Sequence, residues 1–265
     1  MSAKFRVFKA AMGVQWLKAG WEIFKTQPMT FIIMHVFMIA VALIPLAMPP
    51  LQLFAAFAAP FLTAGFYLAV LSKQQGKVIS LASILAAFSA KGRRLNLFRL
   101  GLYQLGVVIV LTWAAGLLFE DALNIMVNAT PEQSPEHLIS AILANISMAD
   151  VMLFVIAHSI NMMAFAYALP IVFFKGEKRI FKALGQSLQI FFVNMAPLGV
   201  YSLLIGLLIA AAVPLSMVPL LVIMPIAYIS FFVSFQAIFM PTERQPNDEV
   251  QSDTNTSGQN GRFDA

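Results

Sequence analysis

Residues 167–197 read YALPIVFFKGEKRIFKALGQSLQIFFVNMAP, and the architecture follows from how this run is punctuated. An apolar segment ends just past Pro170, and a basic elbow follows with Lys175, Lys178, Arg179 and Lys182. Apolar residues then recur at helical spacing (Ile180, Leu184, Leu188 and Phe191, with Ser187 among them), which predicts an amphipathic helix. Asn194 and Pro197 open the next apolar segment. The run therefore reads as membrane exit, surface-lying helix and re-entry, with the elbow cations placed to meet anionic lipid.

The same order of parts recurs upstream. Residues 4–27 place Phe5, Phe8, Met12, Trp16, Ala19 and Ile23 on one helical face, with Trp16 and Trp21 suited to headgroup level. Residues 73–99 hold a third such segment, in which Ser80 is expected to cap a short helix carrying Leu81, Ile84, Leu85 and Phe88. The charged first 27 residues lack the short apolar core of a cleavable signal, so the first apolar run is expected to stay as an anchor.

Bulk composition agrees. Of 265 residues 60% are hydrophobic and only 11% charged, whereas soluble domains average about 45–50% and about 25%. The fold class expected is all-α: a polytopic bundle of six transmembrane helices with cytoplasmic interfacial amphipathic helices. The spans are expected at about 29–47, 50–72, 100–119, 150–174, 195–213 and 218–240. Residues 1–240 form one membrane domain, and 241–265, polar throughout, read as a disordered cytoplasmic tail. Pro60 inside the second span is expected to kink it, for packing more than for gating.

Charge sets the orientation. All 17 Lys and Arg fall before the first span, between spans two and three, between four and five, or in the tail. The opposite loops contain none, and the long one at 120–149 carries Glu120, Asp121, Glu132 and Glu136. Cytoplasmic loops collect Lys and Arg, which puts both termini inside. The elbow cations Lys175, Lys178, Arg179 and Lys182 are thus candidate contacts for anionic phospholipids of the inner leaflet, each contributing about 1 kcal/mol. Nucleic acid is not an expected partner, because these charges flank spans. Pro28 to Pro45 and Pro197 to Pro214 bracket spans at the same 17-residue distance, an internal echo of one surface-helix-plus-span unit.

The landmarks WLKAGWEIFKTQP and residues 167–197 resemble a family of bacterial six-helix inner-membrane proteins of unknown function. Their layout is similar to the membrane domain attached to some glycerophosphoryl diester phosphodiesterases. The likeness covers about residues 14–240. It implies the bacterial cytoplasmic membrane and a single helical domain, and it carries over no phosphodiesterase chemistry.

Chemistry is sparse. The chain has no cysteine and three histidines, and it shows no phosphate-binding glycine loop, zinc motif or nucleophile elbow. No cofactor or metal is expected, and the chain is not expected to be an enzyme. The one pointed constellation is a polar stripe on the fourth span, Asp150, His158 and Asn161, expected to face the bundle interior. Interhelical packing is its leading role, lining a substrate or ion path the second, catalysis the third. The leading function is a non-enzymatic scaffold or lipid-associated accessory protein, and the alternative is a small permease using that stripe. A polar mid-membrane cavity containing His158 would favour the permease, a solid apolar core the scaffold.

Overall fold

The computed structural model describes residues 5–130 and 133–239. Among them there is no strand. In chain order come α1 (Met12–Lys25), α2 (Pro28–Ala47), α3 (Gln52–Gln74) and a 3-10 helix, Leu81–Ser89. Next are α4 (Arg94–Leu118), α5 (Glu120–Val127), α6 (Pro135–Ala144), α7 (Met148–Ala166) and α8 (Ala168–Phe174). The chain closes with α9 (Ile180–Val193), α10 (Met195–Ala212) and α11 (Leu220–Phe239). Six of these stretches are long and apolar enough to cross a membrane, α7 and α8 counting together as one. The segment 241–265 lies outside the described residues.

The long helices form three hairpins, α2–α3, α4–α7/α8 and α10–α11, and a shorter segment precedes each: α1, the 3-10 helix and α9. Helices α3 and α11 make the centre. Their apolar windows are 61% and 50% buried, against 11–22% for the other four, so the remaining helices are outer staves. Burial is concentrated toward the end carrying Lys73, Lys175 and their neighbours, called here the basic end. Nothing on α4 is buried beyond Gly101, nothing on α7 before Asn161, and nothing on α10 between Tyr201 and Ala212.

The three short segments dock on the bundle rather than standing off it. Helix α1 packs along α10 and α11 and buries Gly13, Trp16, Gly20 and Phe24. This face is rotated from the expected one and shares only Trp16 with it; Ala19 and Ile23 sit at its margin. The reason is close approach: a Cβ on Gly20 would collide with Ser230 of α11, so glycine lets the two helices touch. Trp16 is 1% exposed and belongs to the core, while Trp21 stays on the surface.

The second segment forms a 3-10 helix and buries Ile84 and Ala87, leaving Leu81, Leu85 and Phe88 exposed. Side chains three apart eclipse in a 3-10 helix, so the buried pair is i, i+3 and not the wider α-helical face. Gly65 of α3 receives its backbone, since a Cβ there would meet the Ile84 carbonyl.

Two amides clasp these segments. The Gln27 side chain donates to the Ile79 carbonyl at 2.5 Å and accepts from the Ile79 N–H at 3.2 Å. Asn194 accepts from the Phe8 N–H at 3.0 Å and donates to the Arg6 carbonyl at 3.1 Å. Each amide stands just before a long helix and grips the backbone leading into another short segment. Side-chain amides carry both a donor and an acceptor, so one residue satisfies both groups of a loop that no ladder reaches.

The fourth apolar stretch breaks at Tyr167, where a single helix over 150–174 is expected. Pro170 has no N–H for the Ala166 carbonyl, and the neighbouring rung, from the Tyr167 N–H to the Met163 carbonyl, is bridged by Ser187 of α9. Its hydroxyl accepts from the Tyr167 N–H at 3.0 Å and donates to the Met163 carbonyl at 2.6 Å. Helix α4 starts at Arg94, six residues before the expected boundary, so Arg94 and Arg99 lie within its first turns.

Candidate functional site

The elbow between α8 and α9 is built by a glycine and a carboxylate. Gly176 has φ +69°, the left-handed conformation that ends a helix cheaply only without a Cβ. Glu177 then folds back: its carboxylate accepts from the Arg179 N–H at 3.1 Å and from the Lys182 ammonium at 2.5 Å. The Arg179 guanidinium stands 3.6 Å away. The Lys182 hydrogen bond holds the Glu177 carboxyl below its ordinary range, against a smaller opposing effect of burial. Lys175 lays its ammonium over the Phe239 ring at 4.0 Å from the centroid. Burial lowers its pKa, the Lys182 charge adds to this, and Glu177 opposes it.

These side chains surround a hollow of about 490 Å³ lined by Lys175, Glu177, Lys178, Arg179, Lys182 and Gln186. A second hollow of about 460 Å³ shares Lys178, Arg179 and Lys182 and adds Arg99, Tyr103 and Phe181. All four elbow cations named from the sequence thus come together, and α4 contributes a fifth, Arg99. Sequence reading placed Arg99 at the basic end but not at the elbow. The link is the Tyr103–Phe181 ring contact, 5.0 Å edge to face, which ties α4 to α9 across a long sequence separation. The site holds five cations against one carboxylate, which suits a doubly oxygenated anion such as a phosphate diester.

The polar stripe does not converge. Asn161 is buried, Asp150 is half-buried in the first turn of α7, and His158 is exposed with its ring against Phe154. The expectation that all three face the interior is corrected for His158. Its side of α7 is an outward face in a helix apolar on all sides, where periodicity carries no inside–outside signal. Ser234, Gln236 and Tyr201 carry the interhelical bonds: Tyr167 hydroxyl to Ser234 at 2.6 Å, Gln74 with Gln236 at 2.9 and 2.8 Å, and Tyr201 hydroxyl to the Ala227 carbonyl at 2.8 Å.

A third hollow, about 540 Å³, lies among α3, α4, α7, α8, α9, α10 and α11. Its lining is mostly apolar, and His158 is not part of it. The core is therefore neither solid nor hollowed around the stripe. Comparison with protein-family models, curated proteins and solved structures gives no match.

Proposed function

We propose that this chain is a multi-pass protein of a bacterial cytoplasmic membrane that binds anionic phospholipid headgroups at its basic elbow and acts as a non-enzymatic, lipid-associated scaffold. Six long apolar helices support the membrane residence, together with outward side chains such as Trp113 at 67% and Leu203 at 63% exposure. Water-soluble surfaces do not carry such continuous apolar faces. Both termini belong on the cytoplasmic side by the distribution of Lys and Arg, and the bacterial assignment rests on the resemblance of residues 14–240. The three short segments lie at the inner leaflet, where their charged residues meet the headgroups. The observation that carries the lipid reading is the pair of adjoining hollows that gathers Arg99, Lys175, Lys178, Arg179 and Lys182 around one glutamate.

His158 on the outward face speaks against the permease reading, although Asn161 is buried as that reading requires. The lipid reading is tested by reconstituting the protein in phosphatidylcholine bilayers with spin-labelled phosphatidylglycerol. Wild type should hold the anionic probe in preference to a spin-labelled phosphatidylcholine, and Arg99→Gln/Lys178→Gln should cut that preference severalfold. Equal preference in both proteins would refute the site. Orientation is tested separately: cysteines at Gln133 and Lys77 should react with an impermeant thiol reagent from opposite sides, the first in intact spheroplasts and the second only after lysis.

A further inference from the structure

The hollow of about 540 Å³ among the helices has the size of a small-molecule site and opens at the side of the bundle. Tyr67 stands seven residues before the basic end of α3, and Gln104 ten residues after the start of α4. At 1.5 Å per residue these are about 10 and 15 Å along the helices, within a hydrocarbon layer about 30 Å thick. No charged residue lines the hollow. Two of its hydroxyls are committed elsewhere: Thr63 donates to the Ala59 carbonyl at 2.9 Å and Tyr201 to Ala227.

The remaining polar groups have no such partner. Tyr67 is 4% exposed and lines the hollow, yet its hydroxyl makes no hydrogen bond among the described residues. The same holds for the Tyr228 hydroxyl and the Gln104 amide. The two O–H donors and the amide are not sealed in the core but open onto the hollow; facing hydrocarbon there without an acceptor is costly, so they call for one from outside the chain. An ion is a poor match, because nothing here would neutralise its charge. A carbonyl oxygen is a good one: it is neutral and has two lone pairs, one for each donor.

We infer that this hollow binds the carbonyl end of a neutral, apolar-chained lipid, with Tyr67, Tyr228 and Gln104 as its hydrogen-bonding groups. The ligand enters from the side, where the hollow opens and where α4, α7 and α10 bury little of their length beyond the basic end. The carbonyl has two chemical sources, the ester of a glycerolipid and the ring ketone of a lipid quinone. Depth favours the ring ketone, since glycerolipid esters sit in the interfacial layer outside the hydrocarbon. The inference rests on the membrane residence proposed above and not on the basic elbow.

The test uses the whole protein in maltoside micelles, dialysed to equilibrium against a labelled decyl benzoquinone or a labelled dihexanoyl phosphatidylcholine. One probe should bind saturably at one per chain, the quinone if the source is a ring ketone and the diester if it is an ester. Tyr67→Phe keeps the ring that stacks on Phe232 at 4.8 Å and should weaken binding about fivefold, the scale of one neutral hydrogen bond. Ala59→Phe, which fills the hollow, should abolish it. Gln104→Leu supplies an independent loss should the filled variant fail to fold, and Lys178→Gln should leave binding of the phosphate-free quinone unchanged, which separates this site from the elbow. No saturable binding of either probe, or wild-type binding by Tyr67→Phe and Gln104→Leu, overturns the inference.

Discussion

The Ser187 hydroxyl occupies the place that one backbone hydrogen bond would fill between Tyr167 and Met163. It takes the N–H of the first at 3.0 Å and gives its own proton to the carbonyl of the second at 2.6 Å. A side chain entering the i to i−4 ladder is an established cause of a helix break, and here it comes from another helix. The break at Tyr167, one rung from the bond that Pro170 cannot make, and the docking of α9 therefore meet in Ser187. Ser187 is fully buried, so no water can substitute for it.

Ser187→Ala should accordingly leave a buried N–H and a part-buried carbonyl without partners. At about 1–3 kcal/mol for a buried group left unpaired, the expected loss is about 2–4 kcal/mol, read as a lowered thermal midpoint in detergent. Ser187→Thr keeps the hydroxyl and should recover part of it, limited by the tight fit. A Ser187→Ala protein as stable as wild type would show that the bridge contributes nothing.

Glycines divide into those that a neighbour presses on and those that face open space. Gly65 meets the Ile84 backbone, and backbone cannot swing aside as a side-chain tip can. Gly65→Ala should therefore displace the 3-10 helix and cost about 2 kcal/mol or more, in the manner of an overpacked core. Gly106 on α4 has nothing near its missing Cβ, and Gly106→Ala should be neutral or stabilise by about 1 kcal/mol through helix propensity. Comparing the two thermal midpoints checks the assignment, and a Gly65→Ala protein matching Gly106→Ala would contradict it.

Composition and proline punctuation carried most of the helix layout, because apolar length is a strong, local signal. The basic end was legible for the same reason: where Lys and Arg fall needs no tertiary knowledge. What sequence could not supply was the partner across a gap. Pro170 announces a weak point in the ladder, but Ser187, which bridges the rung beside it, lies 20 residues from the Tyr167 N–H it serves and looks like any small polar residue on an apolar stripe. On α1 the large apolar side chains drew the reading, whereas the docking face is set by what is absent at Gly13 and Gly20. On α7 the rule that polar groups point inward failed at His158, since a helix apolar all round gives no second face to compare.

His158 is the residue whose expected role changes most. As an interior hydrogen-bonder it would lose about 1 kcal/mol on replacement by leucine. On the outer face, against Phe154 at 6.1 Å, it has no interhelical bond to lose. His158→Leu should leave the thermal midpoint within the equivalent of about 0.5 kcal/mol. Asn161→Leu, at a buried position whose carbonyl oxygen has no partner, tests packing alone and should move it more. A large loss at His158 would return it to the interior.

Glu177 pairs with two of the elbow cations, and as a competitor for them it gives the proposed lipid site a pH dependence of definite sign. Its carboxyl is held below the ordinary range chiefly by the Lys182 hydrogen bond. A lowered carboxylate pKa means that the pairing stabilises the fold above the ordinary carboxylate range, and that this contribution is lost as pH falls through the lowered folded value. Protonation then frees Lys182 and Arg179, both of which line the hollows. Elbow stability and anion affinity should therefore move in opposite directions on acidification, with the spin-labelled phosphatidylglycerol held more tightly as the thermal midpoint drops. Glu177→Gln mimics the protonated form: at neutral pH it should bind the probe severalfold more tightly than wild type, with its acid dependence flattened. Weaker binding by Glu177→Gln would mean that the carboxylate orients Lys182 and Arg179 for the lipid instead of competing with it.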